Sequence, residues 1–214
     1  MNRQLLIIIT AVVALGVVAA VVLVPRLTAP TVTVNAAALA LDTQPMKGDP
    51  SAPVEIVVFE DFLCSHCGTF VNNVAPQIKR DFVDTGKARY YTLNFVVIGP
   101  ASQRVAQVGE CVFEQGADAF WAFETVAFRS QPTLNEQSAI ALANEYVEGL
   151  DASALDECIS SGRGVEAVQA DTERAIANEL TGTPSILING ELVVPSSYQV
   201  LADAIEAAYA GAQN

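Results

Sequence analysis

Apolar and polar positions fall into three regimes along this chain. From Leu5 to Val24 (LLIIITAVVALGVVAAVVLV) 18 of 20 residues are apolar, only Thr10 and Gly16 interrupting. At 1.5 Å per residue that run spans about 30 Å, the thickness of a bilayer core, and it predicts one transmembrane helix within residues 1–24. A cleaved signal peptide is the alternative, but its small-x-small site would be Ala38-Leu39-Ala40, far beyond the apolar run. From Pro25 to Pro50 neither period is visible, and four of the ten prolines fall there. This reads as a tether, with a coil reach of roughly 30 Å.

From residue 51 to 214 the pattern predicts one domain. Val54 to Phe59 (VEIVVF) is a short β-branched run, the mark of a strand buried on both faces. Phe70, Val71, Val74, Ile78 and Phe82 form a helical stripe across Cys67 to Phe82, with Pro76 bending it. Arg89 to Val97 predicts a second strand, so the domain opens β-α-β with parallel strands. Residues 102–179 read as a helical insertion, broken at Gln131-Pro132 and at Gly162 to Gly164. Ser185 to Ile188 and Glu191 to Val194 flank Asn189-Gly190, a strong hairpin signal. Tyr198 to Ala210 closes as a helix. The fold class is α/β, β-α-β and β-β-α halves separated by the insertion.

Composition changes this picture in two ways. The mean hydropathy of +0.35 is high for a soluble protein, yet without Leu5 to Val24 the remaining 194 residues are about 47% hydrophobic, an ordinary globular value. All 24 acidic residues lie at or after Asp42, against 9 basic ones there, a net charge of −15. Such a surface repels phosphate backbones and argues against a nucleic-acid partner. Arg3 and the terminal amine before the apolar run place the N-terminus inside and the domain outside.

The candidate chemistry is Cys64-Ser65-His66-Cys67, at the junction of the first strand and first helix. A helix N-terminus stabilises an anion, which is what a thiolate is. Cys64, at the helix edge, is expected to be the exposed, low-pKa nucleophile; Cys67, inside the helix, the buried resolving thiol. His66, the only histidine, adds a donor or a positive charge near Cys64. A substrate thiolate attacks Cys64 of the oxidised pair, and a second substrate thiol then displaces Cys64. A stabilised Cys64 thiolate favours the reduced pair, which makes the site an oxidant. Two other uses of the motif are half a zinc site, completed by Cys111 and Cys158, or a purely structural disulfide. Phe120, Trp121, Phe123 and Phe128 are expected in the core, or else beside a peptide groove.

With these residues in hand, the chain resembles the DsbA-like branch of the thioredoxin superfamily over residues 48–210. The resemblance rests on Gly48-Asp49-Pro50, Phe59-Glu60-Asp61-Phe62 before the cysteines, the helical insertion, and Thr181-Gly182-Thr183-Pro184-Ser185 followed by Ile188-Asn189-Gly190. It implies a thioredoxin fold and a cis Thr183-Pro184 bond facing the cysteines, whose backbone pairs with substrate. It also implies exported cysteine-containing proteins as substrates and a quinone-coupled membrane reoxidant of the DsbB or vitamin K epoxide reductase type. No cofactor or metal is expected. Three departures stand out. Ser65 replaces the proline of the best-known oxidases, Thr183 is as typical of reductases and isomerases, and Val58 occupies the position where relatives often bury an acid. Glu60 or Asp61 can substitute for that acid, although their place at the strand end suits a solvent-exposed role equally.

Cys111 and Cys158, both in the insertion, most simply pair with each other in an oxidising compartment; free thiols or a redox relay to Cys64 are the alternatives. The expectation is therefore a thiol-disulfide oxidoreductase, membrane-anchored on the outer side of a bacterial cytoplasmic membrane and acting as an oxidase. Its rivals are a reductase or isomerase and a redox-inactive, anchored peptide-binding module.

Overall fold

The computed structural model describes residues 4, 12–14, 33–194 and 196–213. The chain divides into two compact units, Met1–Val32 and Thr33–Asn214, and the second carries the fold. The expected membrane helix lies almost wholly outside the described residues, and among those no helix is long and apolar enough to cross a membrane.

Strand β2 (Val54–Glu60) is buried at all seven positions, so its continuous apolar run reflects cover on both faces. Strand β3 (Ala88–Asn94) pairs with it in parallel, Val54 opposite Ala88 through Glu60 opposite Asn94. With β1 at Met46–Lys47, the sheet order is β1-β3-β2-β4-β5, with β4 (Ser185–Ile188) antiparallel to β2 and β5 (Glu191–Leu192) antiparallel to β4. The turn between β4 and β5 has positive φ at both Asn189 and Gly190, as a two-residue primed turn requires.

Between β2 and β3 lie α1 (Ser65–Asn73) and α2 (Ala75–Ile78). Pro76 cannot donate to the helical ladder, and the chain re-forms around it with a π turn at Lys79–Val83. Five helices fill the insertion: α3 (Pro100–Phe113), α4 (Ala117–Arg129), α5 (Glu136–Tyr146), α6 (Ala152–Ser161) and α7 (Arg163–Ala177). A short 3-10 turn at Gln131–Thr133 joins α4 to α5, and Gly162 in the left-handed region separates α6 from α7. Helix α8 (Tyr198–Ala212) closes the domain against β2 and β4.

The structure corrects two expectations. The tether expected to run to residue 50 ends earlier, because the chain joins the domain at Thr33. Thr33 bridges Glu191, the Val34 N–H donates to the Gly190 carbonyl at 2.7 Å, and Leu39 is wholly buried. A side chain at Gly190 would lie 2.4 Å from the Val34 carbonyl oxygen, so glycine there admits this segment as well as forming the turn. Met46–Lys47 then forms β1, the edge partner of β3. A two-residue strand and two 3-10 turns are too short to leave a period in the sequence. The second strand stops at Asn94 instead of Val97, because the N–H groups of Val97 and Ile98 are drawn away from the sheet onto the Asp61 carboxylate, at 2.9 and 3.0 Å.

Candidate active site

Cys64 is the N-cap residue of α1, with extended backbone (φ −75°, ψ 118°). Its place there is set from both sides. The Cys64 N–H donates to the Asp61 carbonyl at 3.0 Å, and the Cys64 carbonyl accepts the first helical bond, from Gly68, at 3.0 Å. The buried Asp61 carboxylate accepts from the N–H groups of Leu63, Val97 and Ile98, locking the strand-to-helix turn. Phe62 is buried among insertion side chains, stacked on Phe128 with ring centroids 5.0 Å apart and tilted against Phe123 at 5.6 Å. Phe120, Trp121, Phe123 and Phe128 are all core residues.

Across from this turn the Thr183-Pro184 bond is cis, and the Cys64 thiol donates to the Thr183 carbonyl at 3.4 Å. The 183–184 loop and the first cysteine, 119 positions apart, thus share one site. Cys64 and Cys67 are both free thiols. Cys67 is fully buried, and Cys64 is also more enclosed than the expected exposed nucleophile, at 7% accessibility. The proximity of the 183–184 loop covers it. Ser65 and His66 are on the solvent side of the first helical turn.

Electrostatics separate the two thiols' surroundings. Burial pushes the Cys67 thiol far up, and the negative charge of Glu60 pushes in the same direction, with the Asp61 backbone and the Thr183 hydroxyl opposing. Glu60 is not at the solvent-exposed strand end that its sequence position allows. It is 1% accessible, and among the described residues neither carboxylate oxygen has a hydrogen-bond partner. Burial first, and then the charge of Glu124, hold its carboxyl well above the usual range, with Lys79 pulling the other way. Glu124 itself accepts from Lys79 Nζ at 3.1 Å and from the Thr92 hydroxyl at 3.3 Å. Lys79 also sits 4.3 Å from the Trp121 ring centroid and 4.5 Å from that of Tyr90. A cavity of about 290 Å³ reaches Lys79 and Glu124 from the surface, lined also by Trp121 and Arg129.

Cys111 and Cys158 form a disulfide joining α3 to α6, with Cα atoms 5.6 Å apart. This consumes the sulfurs that a four-cysteine zinc site would need. Sequence reasoning missed Glu124, Lys79 and Gln131, whose place in the site depends on how the insertion packs. A Glu and a Lys on amphipathic helices carry no local mark of burial.

Comparison with known proteins follows the same lines. The thioredoxin family model matches residues 40–207. The probable disulfide bond formation protein D of Bacillus anthracis is 32% identical over 161 residues, covering 73% of this chain and 74% of that protein. The disulfide bond formation protein D of Bacillus subtilis is 27% identical over 154 residues, covering 70% and 69%. Among solved structures, oxidised BdbD from Bacillus subtilis superposes with a TM-score of 0.76 at 24% identity, covering 85% of this chain and 99% of that one. Two free cysteines at a helix start, a cis-proline loop against the first of them and these relatives agree: the chain belongs to the DsbA-like group of the thioredoxin family and is a thiol-disulfide oxidoreductase.

Proposed function

We propose that this protein is a membrane-anchored oxidase on the outer side of a bacterial cytoplasmic membrane, passing a Cys64–Cys67 disulfide to exported proteins. The observation that carries this reading is the Cys64 thiol at the N-terminus of α1, 3.4 Å from the Thr183 carbonyl, with the buried Cys67 behind it. In the oxidised enzyme a substrate thiolate attacks Cys64 sulfur, forming a mixed disulfide and expelling Cys67 as a thiolate. Buried beside Glu60, the Cys67 thiolate is a strong base. Glu60, kept protonated by burial, gives it the proton, which restores a neutral Cys67. A second substrate thiolate then attacks the substrate sulfur of the mixed disulfide and Cys64 leaves as a thiolate, stabilised by the helix N-terminus. The substrate loses two electrons and the cysteine pair gains them. Thr183 and Pro184 hold the substrate backbone, and His66 and Ser65 line the rim that the substrate approaches.

Return to the disulfide requires Cys67 to lose its proton to Glu60 while a quinone-coupled membrane protein of the DsbB or vitamin K epoxide reductase type removes the electrons. The disulfide Cys111–Cys158 serves structure. The Leu5 to Val24 run supplies the anchor, and the acidic domain outside it meets exported chains before their cysteines pair. Thr183 before the cis-proline suits a second reading equally well, a reductase or isomerase.

The test is oxidation of a reduced, unfolded cysteine-containing protein by the purified oxidised enzyme, with product disulfides counted against enzyme reduced. Stoichiometric transfer that vanishes in Cys64→Ser supports the oxidase. Transfer surviving Cys64→Ser, or net reduction of a disulfide substrate under the same poise, contradicts it.

A further inference from the structure

Gln131 lies in the 3-10 turn between α4 and α5, 67 positions from Cys64, yet its side chain ends at the reactive turn. Its Nε2 donates to the Phe62 carbonyl at 2.8 Å and to the Cys64 carbonyl at 2.8 Å. A primary amide has two N–H donors, so both are used on two carbonyls two residues apart, one of them the first acceptor of α1. The Oε1 end lies against Gly68. A Cβ at Gly68 would meet Oε1 at 2.3 Å, Cδ at 2.9 Å and Nε2 at 3.2 Å, so the amide would have to shift.

Gly68 has an ordinary helical backbone, not a positive φ. Its conformation therefore does not call for glycine, and glycine inside a helix weakens it. The empty space over Gly68 is what its presence secures, and Gln131 occupies that space.

We propose that Gln131 is a positioning residue for Cys64 and that Gly68 is glycine to admit it. The amide clamps the peptide entering α1, so the helix N-terminus and the Thr183 carbonyl stay aligned with the Cys64 sulfur. The clamp comes from the insertion, and it makes the reactivity of Cys64 depend on the seating of α4 and α5. Without it the first turn of α1 frays, the N-terminus stabilises the thiolate less, and the pair shifts toward the disulfide. The inference rests on the reading of Cys64 as the attacking thiol.

The experiment uses the full chain in detergent, as wild type, Gln131→Ala, Gly68→Ala and the double variant. The readouts are the pH profile of Cys64 alkylation by iodoacetamide, the equilibrium with glutathione, and thermal unfolding. In Gln131→Ala the alkylation midpoint is expected to move to higher pH. The glutathione equilibrium is expected to shift about threefold to tenfold toward the disulfide, the effect of losing one or two ordinary hydrogen bonds. Gly68→Ala displaces the same amide and gives the same shift. The double variant is no worse than Gln131→Ala, because the two changes remove one interaction. If Gly68→Ala fails to fold, restoration of folding by adding Gln131→Ala supports the clamp, and failure to restore it opposes the clamp. A Gln131→Ala protein with a lower melting temperature but an unchanged alkylation profile overturns the proposal, as do fully additive effects. A wild-type Cys64 that resists alkylation at neutral pH refutes the reading of the nucleophile instead, so the two failures are distinct.

Discussion

Glu60→Gln places two consequences of the buried carboxyl in one variant. Glu60 is 1% accessible and has no hydrogen-bond partner for either oxygen among the described residues, with Glu124 repelling its charge. The carboxyl is held well above 4.5, so the folded protein keeps a proton that the unfolded chain releases. Its contribution is fully present below about pH 4.5 and is lost as pH rises through the raised folded value. Glutamine has nearly the same shape, carries no charge and can donate to Glu124. At alkaline pH it removes the cost of holding this buried acid, about 1–3 kcal/mol as for an uncompensated buried polar group. For a domain of this size each kcal/mol is worth roughly 2–4 °C of Tm. Thermal unfolding of reduced protein is expected to show Glu60→Gln close to wild type near pH 4.5 and higher by about 5 °C at alkaline pH. A gap that does not widen with pH, or a variant less stable than wild type in alkali, refutes the argument. The same variant removes the proton carrier of Cys67, so mixed-disulfide resolution is expected to slow even as the fold gains stability. Faster resolution contradicts the role given to Glu60.

Three further outcomes follow from other parts of the domain. Glu110, pushed up to about 8 by burial and by the charge of Asp171, loses its stabilising contribution between about pH 4.5 and 8. Glu110→Gln is therefore expected to flatten the alkaline fall in Tm, and a parallel displacement of the whole curve would count against this. Replacing Cys111 and Cys158 together by serine removes a crosslink spanning 47 positions and is expected to cost at most about 4 kcal/mol while leaving Cys64–Cys67 turnover intact. Loss of turnover in the folded variant would point to a redox relay. Two truncations, one removing residues 1–32 and one removing residues 1–47, isolate the contribution of the segment between them. Removal through Lys47 uncovers the edge of β3 and exposes the sites that Val34 and Leu39 fill, at about 2 kcal/mol for each side chain. Equal melting temperatures for the two truncations would contradict the docking of this segment.

The parts of this fold that were legible in the sequence are those whose cause is local. The β2 run, the Pro76 bend, the Asn189-Gly190 turn and the helix break at Gln131-Pro132 each act within a few residues. Cys64-Ser65-His66-Cys67 and Thr183-Pro184 were legible as motifs, and the structure brings them together. What was hidden depends on distant packing. Glu60 sits where the chain leaves the sheet, and α4 places Glu124 close enough for its charge to act on that buried carboxyl. Val34, Leu39 and Met46–Lys47 are too few to form a period, and their partners are a distant hairpin and a strand. Gln131 marks a helix break in sequence, and its amide gains a role only because the insertion folds back over Phe62 and Cys64. The degree to which the 183–184 loop encloses Cys64 belongs to the same class.

The central claim is that the Cys64–Cys67 pair is an oxidant, and its equilibrium with a glutathione redox buffer tests that most directly. Titrated by alkylation of the reduced pair and resolved by mass, it is expected to give a potential well above the roughly −270 mV of thioredoxin, toward the roughly −120 mV of a strong oxidase. A value at or below that of thioredoxin would contradict the account and assign the domain to reduction.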